Sequence, residues 1–239
     1  MQESVKKLQC LSGSSLKVIA IITMLIDHIG AVIYYYDLSP SGVVIYPILR
    51  NIGRIAFPIF CFLLVEGFMH THDVKKYAIR LGLFALISEI PFDLALTRPD
   101  QSIWMKQNVF WTLLIALFVL IGFRLIEAKI PVTYTTWQGI LYVSCAAAGG
   151  GLAYLMKTDY SYKGVLAICI LYLFRSVRIG QAVAGAICFV WEKWALWAFI
   201  PILLYNGKRG FRMKYFFYLF YPIHLFILYG IAHFGMHLF

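Results

Sequence analysis

The residues of this chain best placed to do chemistry are ionisable groups set within long apolar stretches. Asp27 and His28 lie about 12 residues into a run that begins near Leu16. Arg50, Arg54 and Glu66 fall in the next run, Glu89 and Asp93 in a third, and Tyr221 and His224 in the last, within Tyr221-Pro222-Ile223-His224. A charge held at mid-bilayer costs at least about 2.5–3.5 kcal/mol, so each marks a functional-site candidate. Imidazole titrates near neutral pH and suits proton transfer, which makes His28 the candidate general base. Lys17 and His28 are eleven residues apart, which at ~100° per residue returns to nearly the same helix face, ~16 Å along it. Asp27 and His28 are neighbours and point roughly 100° apart, so Asp27 is expected to meet another helix. Arg50 and Arg54 are one turn apart, as are Glu89 and Asp93, on spans expected to be antiparallel. Cross-helix ion pairs among these four, serving structure alone, are therefore allowed. His224, beside Pro222, has an equally plain reading as an interfacial residue at a helix break.

The apolar runs decide what must position these groups. Of 239 residues, 62% are apolar and 13% charged, against about 25% charged in a soluble domain. The runs are roughly 18 to 25 residues long, enough to cross a hydrocarbon layer of ~30 Å. The fold class expected is an all-α polytopic transmembrane helical bundle, one domain over residues 1–239, with a cytoplasmic N-terminal segment over residues 1–13. The spans are expected at about Leu16–Tyr36, Val43–Met69, Tyr77–Leu96, Asn108–Ile126, Trp137–Met156, Tyr162–Phe174 and Tyr215–His233. Ile179–Tyr205 is too short to cross twice in full and is expected to form two short helices or a re-entrant hairpin turning at Glu192-Lys193. That gives about nine membrane segments.

Net charge is +10, with the basic residues gathered at the ends of apolar runs. With a cytoplasmic N-terminus, alternate loops place Lys6/Lys7, Lys75/Lys76/Arg80, Arg124/Lys129 and Arg175/Arg178 on the cytoplasmic side, and Lys208/Arg209/Arg212/Lys214 joins them only if Ile179–Tyr205 crosses twice or re-enters. A multi-pass protein of the cytoplasmic (inner) membrane is expected, and a nucleic-acid partner is not. Cys10, Cys61, Cys145, Cys169 and Cys188 include no CxxC pair, and four of the five read as small buried hydrophobes. No apolar segment precedes Cys10, so neither a lipoprotein site nor a cleaved signal is expected, and the first run is a retained span. Gly149-Gly150-Gly151 has no strand–turn–helix setting and is expected to serve close helix packing. His70, His72, His233 and His237 sit at span ends and are expected to be solvated. No His/Asp/Glu set on one helix has metal-ligand spacing, so no metal is expected.

Several blocks together resemble one family. Leu16-Lys17…Met24-Leu-Ile-Asp27-His28, then Arg50-Asn-Ile-Gly53-Arg54-Ile-Ala-Phe57-Pro58-Ile-Phe60 and Glu66-Gly67, are similar to the TraX family. The likeness continues through Ser88-Glu89-Ile-Pro91-Phe92-Asp93, Asn108-Val-Phe and Lys214-Tyr215…Tyr218…Tyr221-Pro222-Ile-His224, nearly the whole chain. The family includes the acetylase of conjugative pilin and looks related to the acyltransferase-3 membrane group. Lys17 and His28 match that group's basic residue and histidine spacing, whereas Arg50-x-x-x-Arg54 is one residue longer than its paired-arginine motif.

The resemblance implies a membrane-bound O/N-acyltransferase that moves acetyl from acetyl-CoA to an amine or hydroxyl acceptor: a pilin-like peptide, glycan, lipid or small amine. His28 is then the base and Asp27 its neighbour, holding a cation or fixing an adjacent helix. Lys17 and Lys214 meet the donor's phosphates, with Arg50 and Arg54 on the donor or the acceptor side. Arg54, Tyr221 and His224 are candidate donors to the thioester oxygen, and Glu66, Glu89 and Asp93 are further substrate-side candidates. A competing class is a proton-coupled transporter using the same acids and histidines as a relay, although no internal repeat of the kind such proteins carry is evident. A non-catalytic scaffold leaves the buried charges unexplained.

Overall fold

The computed structural model describes residues 9–97, 106–131, 135–211 and 214–235. Lys6, Lys7, Arg212 and His237 lie outside them, as does the side chain of Lys214. Among the described residues the chain is helical without a strand. It belongs to the expected all-α membrane class.

Helix α1 (Gly13–Ile29) starts where Ser12 Oγ accepts the Ser15 amide at 3.2 Å, and a π-turn (Gly30–Tyr34) continues it. Helix α2 (Pro40–Gly53) opens with Ser39 as cap and Pro40 in the first turn, where a missing N–H costs nothing. It therefore begins earlier than the expected Val43. The run also breaks at Arg54-Ile55 before α3 (Ala56–His70). Pro58 cannot donate to the Arg54 carbonyl, and the chain tightens there, Arg54 and Ile55 bonding three residues back at 3.3 and 3.2 Å. Asp73 caps α4 (Val74–Leu96), and Lys76, through its amide and its ammonium, holds the Asp73 carboxyl below the usual carboxylate range. Asn108 caps α5 (Val109–Lys129). Helices α6 (Thr135–Leu155), α7 (Ser161–Leu173) and α8 (Arg178–Cys188) follow. A 3-10 stretch (Lys193–Ala198) leads into α9 (Phe199–Leu203), and α10 (Lys214–Gly230) ends the bundle with a π-turn (Ile231–Gly235).

Among the described residues, Gly13–Tyr34, Pro40–His70, Val109–Lys129 and Tyr215–Gly235 are long and apolar enough to cross a bilayer. The other expected segments are shorter or more polar. Helix α4 is 23 residues long but carries Arg80, Glu89 and Asp93, and α7 has 13 residues. The region after Arg178 forms two short pieces whose chain reverses between Cys188 and Lys193, with Glu192 at the tip.

Helix α3 is apolar on every side and lies at the centre, with Phe57, Ile59, Cys61, Phe62, Val65 and Phe68 all buried. Helix α10 packs between α1 and α4, and α2 packs on α1. The two ends of the bundle are built differently. At the N-terminal end, the first amides of α1 donate to the loop before α10, Gly13 to Lys208 at 2.8 Å and Ser14 to Arg209 at 3.0 Å. Glu66–Arg178 (3.4 Å) and Glu127–Arg175 (2.8 Å) pair nearby. At the far end, Gln107 and Asp159 join the α4–α5 and α6–α7 loops, the Asp159 amide donating to the Gln107 carbonyl at 2.8 Å. Of the glycine triplet, Gly149 and Gly150 are buried, with Val119 and Tyr162 where their side chains would be, while Gly151 faces open space.

One glycine fixes the fold around the buried charges. A Cβ on Gly53 would overlap the side chain of Asp27, so α2 can approach α1 at that level only without one. Gly53→Ala should lower stability in detergent thermal unfolding by about 1–3 kcal/mol. Gly139→Ala, with nothing within 4 Å of the new methyl, should leave the midpoint unchanged or slightly raised.

Candidate functional site

A polar cavity of about 280 Å³ opens between α1, α2, α4 and the far-end loops. Helix α1 gives it Asp27 and His28 from consecutive positions, so they reach different partners. Asp27 Oδ2 accepts from Arg50 Nη1 at 2.5 Å, and Asp27 Oδ1 is buried with no hydrogen bond among the described residues. His28 turns the other way. Its Nδ1 lies 2.6 Å from Nε2 of His224 on α10, and the rings are nearly parallel at 8°, centroids 4.9 Å apart. The contact joins two ring nitrogens end to end. His224 Nδ1 in turn lies 2.6 Å from the Phe220 carbonyl.

This chain of contacts fixes where the protons are. A carbonyl only accepts, so His224 Nδ1 carries a hydrogen and, in the neutral ring, Nε2 is an acceptor. His28 Nδ1 must then be the donor, which leaves the lone pair on His28 Nε2. No described residue hydrogen-bonds that nitrogen. The pair thus forms a base oriented by a second histidine, itself oriented by backbone. Tyr221, one turn before His224, packs edge-on against His28 at 5.9 Å and lines the same cavity.

The opposite wall comes from residues that sequence reasoning did not assign. Asp159 and Tyr160 lie on the α6–α7 loop, where Lys157, Tyr160 and Ser161 all have left-handed backbones, with φ of 53°, 60° and 47°. Each such residue costs of order 1–3 kcal/mol and persists only when its surroundings hold it. Here Tyr160 stacks flat on Phe57, centroids 3.5 Å apart, and the Thr112 hydroxyl donates to the Asp159 carbonyl. The hairpin tip reaches in as well, Glu192 pairing with Arg54 at 3.6 Å. Lys106 completes the lining charges. A sequence signal for this wall was weak. Left-handed turns normally announce themselves with glycine, and here none of the three residues is one.

The structure brings Asp27, His28, Arg50, Arg54, Tyr221 and His224 together. It does not pair Arg50 and Arg54 with Glu89 and Asp93, because α2 packs on α1. Glu89 instead accepts from Asn108 Nδ2 and from Trp111 Nε1 (3.0 Å), and Asp93 from Thr97 at 3.5 Å. Neither acid lines the cavity. Glu66 lies at the N-terminal end with Arg178. Lys17 is also at that end, its ammonium 5.3 Å from the Phe217 ring centre, and Lys214 begins α10 there. His70 and His72 are exposed as expected, whereas His233 is partly buried against Tyr229.

A multi-helix membrane protein with a histidine pair and paired charges around one cavity is the class that fold and site define. Residues 12–232 match the TraX protein family, and the chain belongs to it. It is 31% identical to the "Probable fimbrial assembly protein FimC, serogroup H1" of Dichelobacter nodosus, over 91% of this chain and 94% of that protein. No solved structure matches.

The Asp27–Arg50 pair is partly buried, the side chains 14% and 23% exposed. Arg50→Gln leaves a carboxylate without its counter-ion and should destabilise by about 3 kcal/mol. Asp27→Asn/Arg50→Gln together should recover part of that loss, measured as a double-mutant cycle by thermal unfolding in detergent.

Proposed function

We propose that this protein is an integral-membrane acyltransferase that moves acetyl from acetyl-CoA to an amine or hydroxyl held in the cavity. The observation that carries the reading is the end-to-end His28–His224 contact anchored on the Phe220 carbonyl. It leaves His28 Nε2 available as a base at the wall of a polar cavity inside a membrane bundle. In the reaction, His28 Nε2 takes the proton from the acceptor as its nitrogen or oxygen attacks the thioester carbon. The C–S bond then breaks, and the CoA thiolate leaves with the proton returned from His28. While His28 is protonated, its Nδ1–H bond to His224 is charge-assisted, which favours that state. His224 has no further N–H to offer, so of the candidate donors to the thioester oxygen, Arg54 and Tyr221 are the ones retained.

Basic residues at the N-terminal end support a cytoplasmic face there, in the cell membrane. Lys17 and Lys214 sit at that end, where the phosphates of a cytoplasmic donor would enter. The eleven residues from Lys17 to His28, ~16 Å, are a distance the donor's long thioester arm would span. The acceptor would then reach His28 through the far-end loops. The relative's printed name concerns fimbrial assembly, which supports a pilin-like peptide as acceptor.

Acetyl transfer should fall by about 10²–10⁴-fold in His28→Ala while acetyl-CoA binding persists. His224→Ala should lose rate with donor KM little changed, because it acts through His28. Lys17→Ala should weaken binding of acetyl-CoA and CoA. Transfer that survives His28→Ala overturns the assigned role. Absence of acetyl-CoA binding to the wild type, with counterflow uptake in proteoliposomes, favours a transporter instead.

A further inference from the structure

The flank of the bundle carries a second recess, remote from the cavity. A groove of about 570 Å³ runs between α4 and α5 near the N-terminal end. One wall is a stripe of α5, Leu114, Phe118 and Ile121, at the spacing that places residues on one helix face. Ala78 and Phe68 close the other side. From Leu114 to Arg124 the groove follows ten residues of helix, about 15 Å, a length suited to much of one acyl chain.

Its N-terminal end is cationic. Lys75 and Arg124 both line it, and among the described residues no carboxylate pairs with either; Asp73 pairs with Lys76 at 3.1 Å, and Glu127 with Arg175. The Arg124 guanidinium lies 3.8 Å over the Phe68 ring and donates one N–H to the Phe68 carbonyl at 2.9 Å. A guanidinium has five N–H groups, so the stacking holds it in place with donors to spare. The amino end of α4 adds the positive pole of a 23-residue helix. An apolar slot ending in two cations without counter-ions is complementary to one kind of molecule, an acyl chain under a negatively charged phosphate.

We propose that this groove binds an anionic phospholipid, with one chain along the α5 stripe and the phosphate between Lys75 and Arg124. The site is independent of the transferase reading, since it shares no residue with the cavity. The apolar walls select a lipid over a free anion, and the two unpaired cations select an anionic over a zwitterionic headgroup.

Native mass spectrometry of the detergent-solubilised full chain tests this, with dioleoyl phosphatidylglycerol and dioleoyl phosphatidylcholine added at equal concentration. The wild type should retain phosphatidylglycerol preferentially, by about fivefold for each basic residue engaged. Lys75→Gln, at an exposed position, should lose about fivefold of that preference, and Lys75→Gln/Arg124→Gln should approach parity. Ala78→Trp, which fills the groove with charge unchanged, should reduce retention of both lipids. Glycerol phosphate in excess should not displace the lipid. Equal retention of the two lipids by the wild type overturns the proposal. So does a preference undiminished by Lys75→Gln, retention unaffected by Ala78→Trp, or displacement by glycerol phosphate. The Lys75→Gln and Ala78→Trp arms keep the test decisive if Arg124→Gln does not fold.

Discussion

A polar group inside a bilayer has to find its partner within the protein, because hydrocarbon offers none. In this chain the rule is felt most sharply at Asp27. Its partner Arg50 is on the next helix, and the two helices approach at that level because position 53 is glycine. The consequences spread outward. Once Asp27 is turned to α2, its neighbour His28 is turned away from it, towards α10. The break at Arg54-Ile55 then lets Arg54 leave the line of α2 and meet Glu192. One acid–base contact thus apportions two helices, and with them both halves of the cavity.

The histidine pair follows from that apportionment. Two imidazoles a hydrogen bond apart in a low-dielectric setting resist being charged together, yet one can share the burden of a single proton with the other. The Phe220 carbonyl makes the sharing directional. An arrangement of this kind needs no acidic residue behind the base, which accounts for how Asp27 can neighbour His28 in sequence without orienting it.

Much of this was legible from the sequence, and the limits have physical causes. Apolar run length identified the helical membrane class and the four helices long and apolar enough to cross a bilayer, and helical periodicity separated Asp27 from His28 and placed Lys17 on the histidine's stripe. The reversal near Glu192 could be read from two half-length apolar pieces around a charged pair. Which helix faces which could not be read. Arg50 and Arg54 were equally able, by spacing, to face Glu89 and Asp93, and packing decides otherwise. The start of α2 was missed because Pro40 reads as a turn residue as readily as a first-turn residue. Asp159 and Tyr160 were missed because their loop adopts left-handed turns without glycine, stabilised by contacts to Phe57 and Thr112 that are distant in sequence.

The hairpin of α8 and α9 carries a consequence for biogenesis. Both of its ends are at the N-terminal end of the bundle, and its tip brings Glu192 against Arg54 while Lys193 stays exposed. Released into lipid alone, such a loop would present the Glu192 carboxylate to hydrocarbon without its counter-ion. It is acceptable there only against a wall that already displays Arg54 and the stacked Phe57–Tyr160 rings. Insertion of this chain therefore has an order, with the hairpin seated after the helices that precede it. A defect in Arg54 would register first as a protein left half-assembled in the membrane.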